Sequence, residues 1–187
     1  YFDIFLNYTY YIASNHTLDD FSDSPLHAFI LYVHNKVSAE KVIKILDNIE
    51  SSSYGIFVNP TLDKISLTYE YINKYDAINL CYENIEHYGV EELLIKYLKN
   101  DNKIAEIIRI LKDDVKNHIR KNIAYNKLLD IYDEYNMLAE RKKILPKVII
   151  ETSSFKRYKE LKDMCNEDEW KNLKEKIISK IELNNSW

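Results

Sequence analysis

Glycine is nearly absent from this 187-residue chain: only Gly55 and Gly89 occur, beside three prolines, Pro25, Pro60 and Pro146. Phosphate-cradling loops and tight hairpins depend on glycine at positive φ. Neither a G-x-G-x-x-G fingerprint nor a Walker A loop can therefore be written in this sequence, which excludes the commonest nucleotide sites. Scarcity of both punctuating residues favours helices. Cysteine is scarce too, with Cys81 and Cys165 alone. They are too few and too far apart for a disulfide framework, and no second Cys/His pair completes a zinc site around either, so both are expected to be buried thiols. No apolar run approaches the roughly 18 residues of a membrane span and no basic leader opens the chain, so no membrane association is expected and the cytoplasm is the expected compartment. Tyr1 in place of Met is expected of a processed chain or an excised piece. Asn7-Tyr8-Thr9 and Asn15-His16-Thr17 match the glycosylation pattern, which an Asn-rich chain generates by chance.

What the sequence has is ordinary globular material, 46% hydrophobic and 30% charged, with sixteen tyrosines. That is enough apolar residue to bury a core. The Tyr, Ile, Asn and Lys usage suits an AT-rich genome such as those of low-GC bacteria, some protozoa and large cytoplasmic DNA viruses. The net charge of −4 hides an asymmetry: residues 1–95 carry five Lys/Arg against fourteen Asp/Glu, and residues 96–187 carry twenty-one against sixteen. Such a split marks two differently employed surfaces or electrostatic docking of one half on the other.

From residue 74 onward apolar positions keep helical spacing, most clearly at Ile104, Ile107, Ile108, Leu111, Val115, Ile119 and Ile123. The pattern predicts helices over residues 74–88, 90–99, 103–119, 122–136, 138–151, 155–165 and 167–183, separated by Gly89, the Asn100-Asp101-Asn102 turn and a cap at Asn166. Pro146 should kink or restart the helix that contains it. Links of a few residues make successive helices antiparallel, so the expected fold is mainly α, stacked antiparallel helix pairs forming either a degenerate helical repeat or a bundle.

Residues 1–73 form a distinct, acidic region. Ser38–Ile49 reads as a helix. Phe2, Ile4, Leu6, Tyr8, Tyr10 and Ile12 alternate, as do Ile65, Leu67, Tyr69 and Tyr71, and Tyr54–Val58 is β-like. This allows a small α/β element, yet the tyrosines equally suit helices packed through aromatic rings. The division is thus 1–73, helical or small α/β, and 74–187, a helical-repeat region.

Two segments carry resemblances. Asp19-Asp20-Phe21-Ser22-Asp23-Ser24-Pro25-Leu26-His27 with Val42-Ile43-Lys44-Ile45-Leu46 resembles one ankyrin repeat of the poxvirus type across residues 19–48, although Ser22 stands where the family has glycine and no second copy follows. The resemblance gives Ser24, Pro25, Leu26 and His27 structural roles at the start of a repeat. Tyr158-Lys159-Glu160-Leu161-Lys162, Glu169-Trp170 and Leu173 are similar to the tetratricopeptide-like helix pairs of bacterial SWIM zinc finger proteins, across residues 155–183. The finger's zinc ligands are absent here, so neither metal nor nucleic-acid binding follows from it. Both resemblances imply helical-repeat binding modules.

No nucleophile beside a base, no metal-ligand spacing and no carboxylate pair with an apolar neighbour is visible, so no catalytic residue, cofactor or metal is expected. His27 and His34 read as packed or capping histidines, and Asp19, Asp20 and Asp23 as helix-capping residues. Arg109, Lys112, Lys116 and Arg120 fall on one side of a helix and could meet a phosphate backbone or another anionic partner; local ion pairs to Glu106 and Asp113 are the plainer account. Arg141-Lys142-Lys143 and Lys156-Arg157 with Lys159 add cations. Tyr125, Tyr132, Tyr135 and Tyr158 are candidates for a partner groove or a stacking surface. The expected function is a non-catalytic scaffold that binds another protein, as in virus–host contacts. A nucleic-acid-associated module using the basic half is the alternative, and a piece of a larger enzyme the third reading.

Overall fold

A computed structural model describes residues 33–47, 60–117 and 121–184, and every element among them is helical. The expectation of a mainly α fold holds. By internal packing the chain divides into two compact units, residues 1–102 and 103–187.

The first unit contains α1 (Lys36–Leu46), α2 (Pro60–Leu67), α3 (Lys74–Glu83) and α4 (Val90–Asn100). Helix α1 starts at a reciprocal cap in which the Asn35 side chain accepts from the Ser38 N–H at 2.9 Å and the Ser38 hydroxyl accepts from the Asn35 N–H at 3.3 Å. It buries Ala39, Val42 and Leu46 against Val33 and Leu67. The Ile65, Leu67, Tyr69, Tyr71 alternation does not make a strand. Helix α2 runs directly into a π-helical turn, Thr68–Ile72, closed by the Asn73 N–H donating to the Thr68 carbonyl at 2.9 Å. The tyrosines serve helix packing: Tyr69 stacks on Tyr97 with ring centroids 3.6 Å apart, and the Tyr71 hydroxyl donates to the Val33 carbonyl at 3.1 Å. Helix α3 ends at Glu83, short of the expected 88. Gly89, at φ +84°, does not close α3 but stands immediately before α4, as the residue that turns the chain into it.

The second unit contains α5 (Ile104–Lys116), α6 (Lys121–Glu134), α7 (Leu138–Thr152), α8 (Phe155–Asp163) and α9 (Glu167–Asn184). Its core gathers Tyr125 and Leu129 from α6, Leu145, Val148 and Ile149 from α7, Leu161 from α8 and Ile177 from α9. Helix α7 passes through Pro146 without restarting. Leu145, Val148 and Ile149 are almost fully buried around the proline, and this burial outweighs the missing N–H. Helix α5 stops at Lys116, short of 119, so the long apolar face is broken: Ile107 and Leu111 are buried, whereas Ile123 lies in the first turn of a new helix and is exposed. Asn166 caps α9 as expected, accepting from the Glu169 N–H at 2.9 Å while the Glu169 carboxylate accepts from the Asn166 N–H at 3.2 Å.

The ends of α6 and α7 are tied at both extremities. Lys121, at the start of α6, pairs with Glu151 near the end of α7. Arg141, in the first turn of α7, pairs with Asp133 near the end of α6 and donates to the Leu129 carbonyl. These two links fix the antiparallel register of the pair.

A lysine-rimmed cleft as candidate functional site

Helix α6 turns one stripe of side chains, Tyr125, Leu128 and Tyr132, toward the space left between its neighbours α5 and α7. These residues are three and four apart, the spacing that keeps side chains on one helical face. Helix α5 contributes Lys112, Val115 and Lys116, and α7 contributes Glu140, Lys143, Ile144 and Lys147, each again one stripe. Together they enclose an open cleft of about 430 Å³. Its floor is Leu128 with the two tyrosines, Val115 and Ile144 line it from either side, and the ammonium groups stand along both rims.

The charges along it are uneven. Lys112, Lys143 and Lys147 are exposed and enter no ion pair with another described residue, whereas Lys116 also donates to Asp113 at 3.2 Å. The sole acid in the lining is Glu140. Because α6 and α7 are antiparallel, Glu140 lies near the Tyr132 end and Lys147 near the Tyr125 end. Lys116, in the last turn of α5, also lies at the end where α6 begins. The cleft is therefore cationic at one end and mixed at the other. Burial pushes the Tyr132 phenol above its ordinary value and the nearby Glu140 charge adds to this; Tyr125 is raised by burial and by Glu151, against an opposing pull from Lys121. Both phenols are neutral near pH 7, which leaves the lysines and Glu140 as the cleft's charges.

The candidate residues read from the sequence separate in space. Lys112, Lys116, Tyr125 and Tyr132 come together in the cleft. Arg109 does not join them; it lies near Glu106 and Asp113 on its own helix, at 3.8 and 3.9 Å. Arg120, His27 and the Asp19, Asp20 and Asp23 group lie outside the described residues. Tyr135 is half-buried just beyond α6 and does not line the cleft. Tyr158 packs on the core of the second unit, its ring edge-on to Trp170 at 4.8 Å, which makes Trp170 a packing residue. Of the other basic runs, Arg141, Lys142 and Arg157 are taken by carboxylates, Asp133 and Glu160, Glu169, and Glu160 respectively. Only Lys143 of that run reaches the cleft. Sequence reasoning missed Glu140, Ile144 and Lys147, although the α7 stripe could have been found from their helical spacing with Lys143.

Among the described residues no group of three or more His, Cys, Asp or Glu is arranged to hold a metal ion, and no helix is long and apolar enough to cross a membrane. No protein-family model matches the chain, and neither does any curated protein or solved structure.

Proposed function

We propose that this chain is a non-catalytic interaction module, acting in the cytoplasm, whose second unit holds an acidic segment of another protein in the cleft between α5 and α7. The observation that carries this reading is the convergence of four lysines from two helices on a floor of apolar and tyrosine side chains. Such a surface combines apolar area, which supplies affinity, with one dominant sign of charge, which selects and steers the partner. In this reading the successive antiparallel helices α5 to α9 are a degenerate helical repeat, with the tetratricopeptide-like α8–α9 pair closing it, and the ankyrin-like segment around α1 is a second, separate element.

The test compares the intact chain with a Lys112→Glu/Lys143→Glu variant for the proteins each retains from nuclease-treated extract of the source cells. Circular dichroism checks that the variant is folded. A protein held by the native chain and lost by the variant supports the proposal. Identical retention by both sinks it.

Association with nucleic acid is the second reading, favoured by the same lysines. It predicts binding that appears only when nuclease is omitted and that falls steeply with salt.

A further inference from the structure

We infer that the occupant of the cleft is an acidic amphipathic helix of the partner, lying along α6 with its apolar stripe on Val115 and Ile144 and its carboxylates facing Lys112 and Lys116 on one flank and Lys143 and Lys147 on the other. This rests on the reading that the cleft binds protein, and adds to it the conformation, charge and direction of the bound segment.

Four features of the cleft lead to this occupant. Its walls are helix stripes that run alongside one another, and the α7 stripe from Glu140 to Lys147 spans seven residues, about 10.5 Å or two helical turns. A groove of that form matches two turns of a helix presenting side chains at i, i+3, i+4 and i+7. The second feature is the rim chemistry: the cations lining it are all lysines. Ammonium groups on flexible stems suit carboxylates spread along a helix flank.

The third is the floor. Tyr125 and Tyr132 are only 4% and 2% exposed. Rings so deeply covered offer no open face for a stacked base, which is what an unpaired strand would need. The half-buried apolar atoms of Val115 and Ile144 gain nothing from a hydrated phosphate backbone laid over them, but they gain from an apolar side chain. The fourth is polarity. With Lys116 and Lys147 at the end where α6 begins and Glu140 at the other, a helix seated with its acids toward the first end is favoured, and the reversed helix brings carboxylates onto Glu140.

The experiment selects from a displayed library of ~20-residue helix-forming peptides, long enough to hold helix when docked, on the full chain. Individual winners are then titrated by fluorescence anisotropy against the native chain, Lys112→Glu/Lys143→Glu and Glu140→Lys. The expected winners carry Asp or Glu flanking an apolar stripe and gain helical circular dichroism on binding. They lose affinity by roughly tenfold or more on Lys112→Glu/Lys143→Glu. On Glu140→Lys, peptides with acids at both ends bind more tightly.

Three results overturn the inference: winners without acidic bias, equal binding to the double variant, or a labelled oligothymidine that binds the native chain more tightly than any peptide and is lost in the double variant. If that variant loses a protein partner from extract while the winners lack acidic bias, the interaction-module reading stands and this inference falls. Retention from extract that is indifferent to the variant sinks the broader reading itself.

Discussion

The guanidinium of Arg141 donates to the main-chain carbonyl of Leu129 across 3.1 Å, from a residue only 7% exposed. The same group donates to Glu160 at 2.6 Å and pairs with Asp133, and Glu160 also accepts from Arg157 at 3.0 Å. Burial works against the charge on Arg141, but the hydrogen bonds to Glu160 and Asp133 outweigh it and hold its pKa above the ordinary arginine value. One side chain thereby joins α6, α7 and α8, and so fixes two of the three helices that form the cleft.

Arg141→Ala removes the tie from α7 to the Leu129 carbonyl, Asp133 and Glu160, although Glu160 keeps its bond from Arg157. The expected loss is about 1–3 kcal/mol, because both carboxylates keep a partner or water. Arg141→Lys keeps the charge but cannot make the forked contact, and is expected to cost about 1–3 kcal/mol. Urea denaturation of the two variants checks both values. Equal stability of Arg141→Ala and the native chain would show that the network contributes nothing.

Gly89 has φ +84°, and a β-carbon placed there would lie 2.9 Å from Cδ1 of Leu62. Gly89→Ala is therefore expected to destabilise by about 1–2 kcal/mol through the left-handed backbone alone, with a further penalty from the contact. Removing the obstructing branch in Gly89→Ala/Leu62→Ala should cost less than the sum of the single changes. A double-mutant cycle by thermal or urea unfolding reads that coupling.

In the first unit, burial pushes the Cys81 thiol up to about 11 and the Tyr97 phenol up to about 12, the latter against a lowering hydrogen bond with Ser66. Both are neutral acids whose folded values exceed their unfolded ones, so the stability they contribute is complete below the unfolded values and is lost as pH rises through the folded ones. Stability should accordingly fall above about pH 9, the lower of the two unfolded values. A thiol reagent at pH 8 should modify Cys81 only when the unit opens. Rapid modification of Cys81 in the folded chain would contradict the burial argument.

The Lys142–Glu169 pair, 2.7 Å long, ties α7 to the first turn of α9. The Lys142 ammonium, and then the Asn166 N–H, hold the Glu169 carboxyl below its ordinary value. A depressed folded value means that the contribution is present above the unfolded pKa and lost as pH falls through the folded one. Carboxyl chemical shifts should show Glu169 titrating low in the native chain. In Lys142→Met its midpoint should move upward, yet stay below ordinary while the Asn166 donor persists.

Most helices after residue 74 are legible in the sequence. The spacing predicts seven there, and seven lie there among the described residues, because apolar spacing and polar caps act within one or two turns. Pro146 reads as a kink or a restart inside the 138–151 helix, and the helix does not restart there: Leu145, Val148 and Ile149 are buried around the proline. The Ile65 to Tyr71 alternation reads equally as strand or helix, since four residues of alternating character satisfy either; the choice falls to the stacking of Tyr69 on Tyr97, a residue far along the chain.

The sequence by itself determined the helical class, the Asn166 cap and the excess of positive charge after residue 95, because each follows from composition or from neighbours in the chain. Which cations stay available was decided only by tertiary structure. Arg141, Lys142 and Lys143 are consecutive and look alike in the sequence, but successive residues on a helix point about 100° apart. One is buried in a carboxylate network, one meets Glu169, and one stands on the rim of the cleft with Lys112 and Lys147.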